Sequence, residues 1–214
     1  MEPGRDSKRR IAMPIQQTKQ MCPVVGPDGL ARPPWATTDP VLQVYYDTEW
    51  GMPVRDEAAM FERVCLQGFQ VGLSWRLVLQ RRDALRRAFC GFDPDRVAHM
   101  RNIELLLDDA SVIRNRRKLS AVLTNAQATL QLREDDTNLA DLIWSYQPER
   151  TPEPRTMQEV PSRSPESEAL AKELKNRGFT LVGPVNMYAL MESVGIVDTN
   201  LVGTWRRGAS GVWV

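Results

Sequence analysis

Histidine is almost missing from this 214-residue chain: His99 is the only one. Serine–histidine catalysis would have to use it, and the surrounding pattern puts it on the surface-like flank of a short helix. Cysteine is scarce too. Cys22, Cys65 and Cys90 are an odd set with no C-x-x-C pair, so a disulfide framework is excluded and a reducing cytoplasm is the expected setting. A zinc site would have to draw on those three thiols and one imidazole, and no metal or other cofactor is expected. No apolar run approaches the roughly 18 residues a membrane helix needs, and the N-terminus has no apolar signal core. Phosphate-binding and nucleophile-elbow motifs (G-x-x-x-x-G-K-S/T, G-x-G-x-x-G, G-x-S-x-G) are absent as well. Charge of one sign is also lacking. The net charge is +1, and it is unevenly placed: residues 1–32 hold six basic side chains against three acidic ones, leaving the remainder at −2. Binding to a nucleic acid would therefore need a local patch, not an overall field.

What is present is mostly helical in period. Residues 1–33 are polar, basic and Pro/Gly-punctuated, and they read as a mobile arm. Thr38-Asp39-Pro40 is a cap followed by a first-turn proline, opening a helix through Tyr45 and Tyr46. A second helix starts at Arg55-Asp56-Glu57, with Met60, Phe61, Val64, Cys65 and Leu66 at three-to-four spacing. Further helices are predicted from Leu73 to Phe89, from Asp93 through Met100, from Ile103 to Leu107, from Lys118 to Leu132 and from Leu139 to Tyr146. Pro148 to Pro165 is a long proline-rich loop. Ser167–Asn176 and Pro184–Gly195 are the last helices. No window alternates with period two, so strands are minor at most and the class is all-α. The organisation is an arm (1–33), a helical domain (34–208) and a short C-terminal tail (209–214).

Two constellations carry chemistry. Trp35, Tyr45, Tyr46, Trp50 and Trp75 all fall between residues 35 and 75, although aromatics make up only 7% of the chain. Flat rings stack on nucleobases at roughly 1–3 kcal/mol per base; spacing alone also fits a core built from large rings. Gln67 and Gln70, one helical turn apart just before Gly72 and Trp75, add amide donors and acceptors to one face. Stacking walls with one or two polar groups are how a single flipped base is read. The second constellation is Ser111-Val-Ile-Arg-Asn-Arg-Arg-Lys118, between two helical segments. A hairpin there offers backbone N–H groups and a helix N-terminus to phosphate, with charge from Arg114, Arg116, Arg117 and Lys118. A basic run is also the ordinary solvated face of a helix, and Arg81, Arg82, Arg86 and Arg87 are read that way.

Several blocks in order resemble the type I 3-methyladenine DNA glycosylases of bacteria. They are Tyr45-Tyr-Asp-Thr-Glu-Trp-Gly51, Met60-Phe61, Phe69-Gln-Val-Gly-Leu-Ser-Trp75, Phe92-Asp93, Val112-Ile-Arg-Asn-Arg-Arg-Lys118, Asn125-Ala126, Leu142-Ile-Trp144, Arg177-Gly-Phe179, Val182-Gly-Pro184 and Tyr188. The resemblance spans about Trp35 to about Gly203. It implies a helix-hairpin-helix fold with two helical lobes around an aromatic base-binding cleft. It further implies hydrolysis of the N-glycosidic bond to an alkylated adenine flipped out of double-stranded DNA, by a monomer. Gln67, Tyr45 and Trp75 then stand at the catalytic centre, with Trp35, Leu42, Trp50 and Gln70 binding the base and the Ser111–Lys118 run binding DNA.

The sequence departs from that pattern at two places. The family's base-reading glutamate aligns with Gln67, an amide that keeps the shape, loses the charge and gains a donor. A wall position that is often tyrosine is Leu42. The resemblance also implies a zinc ion held by two cysteines and two histidines near the chain ends, but the matching positions are Pro33, Tyr46, Asn200 and Thr204. Trp35, Tyr46 and Trp205 are expected to close the ends by packing instead. Two other readings stay open beside the enzyme: a non-catalytic protein that binds a lesion or a free purine, and a glycosylase scaffold turned to a small-molecule reaction. Elemental analysis of the purified protein is expected to return no stoichiometric zinc; one zinc per chain would overturn that expectation.

Overall fold

Helix caps written into the sequence set most element boundaries in the computed structural model, which describes residues 21–213. Nine α-helices occur among the described residues. Helix α1 (Pro40–Thr48) starts where the Asp39 carboxylate accepts the Val41 N–H, with proline in the first turn. Helix α2 (Glu57–Gln70) is capped by Asp56 and α3 (Trp75–Ala88) by Ser74. Helices α4 (Pro94–Ala98) and α5 (Glu104–Asp108) are short. Helix α6 (Arg116–Glu134) starts at Asn115, two residues earlier than predicted, because the Asn115 side chain accepts the Lys118 N–H. Helix α7 (Leu139–Trp144) is capped by Asn138. Helix α8 (Pro165–Asn176) has a capping box in which Ser164 and Ser167 each accept the other's backbone N–H. Helix α9 (Pro184–Ser193) follows Gly183.

Helix α2 is the centre of the molecule. Nine of the ten positions from Met60 to Phe69, all but Arg63, are buried, so it is apolar nearly all round. Helices α3, α6, α7 and α9 pack around it. Two charged groups on α2, Glu62 and Arg63, escape that pattern. The Glu62 carboxylate accepts from Arg82 Nε at 2.6 Å and Arg86 Nε at 2.8 Å, and Arg82 continues to Glu49 at the end of α1. Arg63 joins Glu49 from α2 at 2.7 Å. Burial works against the charge of Glu49, but Arg82 and Arg63 outweigh it and hold its carboxyl below the usual range. The run Arg81–Arg87 is thus not simply a solvated face: Arg82 is the buried strut between α1, α2 and α3.

Of the predicted arm (1–33), residues 1–20 lie outside the described residues, and residues 21–33 are built into the fold. Strands β1 (Val24–Val25) and β2 (Ala31–Arg32) form a two-stranded antiparallel ribbon. Arg32 is 2% exposed and its guanidinium binds Asp28 at 2.6 Å and Asp47 of α1 at 2.8 Å. Two partners of opposite charge make the burial of an arginine affordable. The tail is also tied down as far as it is described: Trp213 Nε1 donates to the Gly195 carbonyl at 3.3 Å.

The chain after α1 is pinned to the end of α9 by backbone. Gly51 N–H donates to the Ser193 carbonyl at 3.0 Å, and Gly195 has φ +76° with a Cβ-free approach to Gly51. A Cβ at Gly195 would sit 2.7 Å from the Gly51 carbonyl oxygen. Gly195→Ala is therefore expected to cost about 1–3 kcal/mol, read as a lowered midpoint in denaturant unfolding, because backbone on both sides must move.

Candidate active site

The break between α2 and α3 opens a cavity. Val71 to Leu73 turn the chain, Gly72 supplies φ +71°, and Ser74 restarts the helix so that Trp75 is its first residue. The cavity has a volume of about 370 Å³, in the range of small-molecule sites. Trp35, Leu42, Tyr45, Trp50, Gln67, Gln70 and Trp75 all line it, so every pocket residue expected from the sequence meets at one place.

The rings are arranged as walls. Tyr45 and Trp75 lie 5.4 Å apart at 59°, Trp35 and Trp50 5.6 Å apart at 70°, and Trp50 stacks on Tyr46 at 5.7 Å. Tyr45 is buried and its hydroxyl has no hydrogen-bond partner, while burial pushes that phenol up to about 12. Gln67 is 5% exposed and its side-chain amide makes no hydrogen bond among the described residues. A buried, unpaired amide at the wall of a cavity is a polar group held for a ligand. Gln70 makes only a long contact, 3.4 Å from Nε2 to the Leu73 carbonyl.

Glu192 was not anticipated. It comes from α9, together with Ala189 and Ser193, and is the only acidic residue among those lining the cavity. Thr199 Oγ1 donates to its Oε1 at 2.7 Å. Burial pushes its carboxyl up to about 7, and the Thr199 hydroxyl offsets part of that rise. Met157 and Val160 of the proline-rich loop close another side. None of these had a sequence signal: Glu192 lies on a helix whose other residues read as plain core.

The basic run divides. Lys118 does not face solvent: it is 9% exposed, and its ammonium donates to the Phe69 carbonyl at 2.7 Å and the Val71 carbonyl at 2.5 Å. The expectation that it binds DNA is corrected on that ground. It caps the C-terminal end of α2, where the last carbonyls lack helical donors. Arg116 is exposed but paired with Glu104 across the hairpin. Arg114 and Arg117 are exposed and free of ion pairs. Ser111 lies in the turn itself, its N–H taken by Asp109 Oδ1 at 2.7 Å and its carbonyl by Arg81. Among the described residues, the backbone N–H groups of Ile113, Arg114, Arg116 and Arg117 have no acceptor.

The order of helices, the turn before α6 and the aromatic cavity can now be set beside known proteins. The sequence profile of the methyladenine glycosylase family matches residues 35–207. The chain belongs to that family. DNA-3-methyladenine glycosylase 1 of Escherichia coli (strain K12) is 41% identical over 174 residues, covering 79% of this chain and 92% of that protein. DNA-3-methyladenine glycosylase of Haemophilus influenzae (strain Rd) is 38% identical over 174 residues, with 79% and 94% covered. A crystal structure of 3-methyladenine DNA glycosylase I superposes with a TM-score of 0.77 at 38% identity, covering 80% of this chain and 96% of that one. Against this family background, the four positions to which the resemblance assigns zinc ligands do not fit the metal. Tyr46 Oη donates to Asn200 Oδ1 at 2.7 Å, Asn200 Nδ2 is held by Asp198 at 2.9 Å, Thr204 Oγ1 is bound to the Leu201 carbonyl, and Pro33 has no donor atom. The expected packing closes the ends: Trp35 meets Tyr46 edge-on at 5.5 Å, and Arg206 lies 5.3 Å over Trp205 and 5.9 Å from the Tyr46 ring.

Replacing Lys118 by methionine leaves two helix-end carbonyls beside an apolar chain. Chemical denaturation is expected to show a loss of about 1–3 kcal/mol. Arg114→Ala, by contrast, should stay within about 0.5 kcal/mol of the wild type.

Proposed function

We propose that this protein excises an alkylated purine flipped from double-stranded DNA, working as a cytoplasmic monomer without a metal. The observation that carries this reading is the cavity itself: aromatic walls around an amide that has no partner among the described residues. A purine entering the cavity beside Tyr45 and Trp75 would find π-faces for its ring and donors and acceptors for its edge. An N-alkylated purine is already a cation in the nucleotide. Hydrolysis breaks the bond from ring nitrogen to C1′, water adds at C1′, and the base leaves neutral as the water gives up a proton. A leaving group that carries its own positive charge needs no strong acid beside it, which suits a pocket lacking histidine.

The hairpin supports the DNA part of the reading. Four unpaired N–H groups at the start of α6, flanked by the free guanidinium groups of Arg114 and Arg117, form a phosphate-binding edge. Lys118 anchors that edge instead of contributing to it. Gln67, at the position to which the resemblance assigns the base-reading glutamate, favours a second reading in which the lesion is bound but not cleaved.

Release of free base from methylated DNA, and from DNA treated with larger alkylators, separates the two. The wild type is expected to exceed a Trp75→Ala control by roughly tenfold or more, the loss of one stacking wall. Tight binding without release, with release gained in Gln67→Glu, would establish the binding protein instead. Changing Arg114 and Arg117 together to alanine should weaken DNA binding and reduce its salt slope by about two.

A further inference from the structure

We propose that Glu192 is the carboxylate that faces the positively charged purine, supplying from α9 the charge match that Gln67 on α2 does not. The proposal deepens the glycosylase reading and rests on it for the nature of the ligand. Three observations carry it. Glu192 is the only acid lining an otherwise largely apolar and aromatic cavity. Among the described residues no lysine or arginine pairs with it, and only its Oε1 is hydrogen bonded, by Thr199. An uncompensated carboxylate at an apolar wall is unfavourable unless a ligand answers it.

The position of Glu192 is also well fixed. Thr199, itself 4% exposed, holds Oε1 at 2.7 Å. The next residue, Ser193, accepts the Gly51 N–H, so this end of α9 is fastened to the segment that carries Trp50. In the same cavity the Gln67 amide offers a donor as well as an acceptor. An adenine alkylated on its ring presents both an exocyclic amine and a ring-nitrogen acceptor. The amine and the ring charge suit Glu192; the ring nitrogen suits the amide donor that a glutamate at residue 67 would lack.

The surroundings determine how Glu192 titrates. Helix α1 presents Tyr45, α2 presents neutral Gln67, and α3 presents Arg76, which is engaged by Asp39. On its own helix, Tyr188 is pushed up by burial and then by the charges of Glu192 and of Glu166 at the start of α8. None of these donates to Glu192. With its carboxyl near 7 in the empty pocket, binding a fixed cation drives off a proton. Affinity for the cation therefore rises with pH through about 7 and levels off above it.

Titration of pocket tryptophan fluorescence with 3,7-dimethyladeninium, an adenine ring of fixed charge, tests this on the full chain, with neutral adenine as control. Wild-type affinity for the cation is expected to rise roughly tenfold between about pH 6 and about pH 8 and affinity for adenine to stay flat. Glu192→Gln keeps the acceptor for Thr199; it should remove the pH dependence and weaken cation binding at high pH by roughly ten- to a hundredfold. Adding Gln67→Glu to that variant should restore cation binding from the other helix. Wild-type affinity and pH dependence in Glu192→Gln, or no cation binding by the wild type, overturns the assignment. Base release from methylated DNA distinguishes this from failure of the glycosylase reading. Release with an unchanged pH profile in Glu192→Gln sinks the role of Glu192 alone. Glu192-dependent cation binding without release by the wild type sinks the enzyme reading alone.

Discussion

The ammonium of Lys118 joins the two halves of the functional surface. Its bonds to the Phe69 and Val71 carbonyls fix the end of α2, where Gln67 and Gln70 stand, and the same side chain belongs to the first turn of α6, behind the hairpin. Burial lowers its pKa, yet two carbonyl oxygens at a helix C-terminus are where a cation is best tolerated. The cavity and the hairpin edge are thereby held at one fixed separation. If the hairpin seats on phosphate, the end of α2 is registered against the strand by the same contact. A base pocket and a backbone grip have to be placed together for one nucleotide to reach the pocket, and a single buried side chain links their positions.

Charge in the rest of the molecule follows a similar economy. Arginines that read as a surface run are spent inside: Arg82 spans Glu49 and Glu62, and Arg32 spans Asp28 and Asp47. Each has two carboxylates, which is why neither burial is prohibitive. Glu192, by contrast, lines the pocket with a hydroxyl as its one hydrogen-bond partner and no ion pair among the described residues.

Much of this was legible in the sequence, for identifiable reasons. Caps at Asp39 and Asp56 and first-turn prolines at Pro40, Pro94 and Pro184 are local, so the helices could be placed without knowing the fold. The aromatic pocket was legible because Trp35 to Trp75 are close in the chain and most of their helices are contiguous. Glu192 was not, because its only signal is three-dimensional: a polar residue on a helix far along the chain, brought to the same cavity as Gln67 by the packing of α9 on α2. Lys118 was misread because a basic run gives charge but not direction, and the turn of α6 points one of its members inward. Residues 21–33 were taken as arm because a two-residue strand pair has no period to detect; the Arg32 ion pairs that hold it are long-range.

The closure of the chain ends by Tyr46, Asn200, Thr204 and Arg206 has a chemical consequence of its own. Phenol, amide, alcohol and guanidinium groups are weak nucleophiles at neutral pH, whereas a metal-binding cluster would rely on thiolates, the most reactive side chains toward electrophiles. Cys65, the most enclosed of the three cysteines, is held firmly as a thiol by burial. A protein whose proposed substrates are made by alkylating agents thus has, at the seam that joins its two ends, no atom that such agents attack readily.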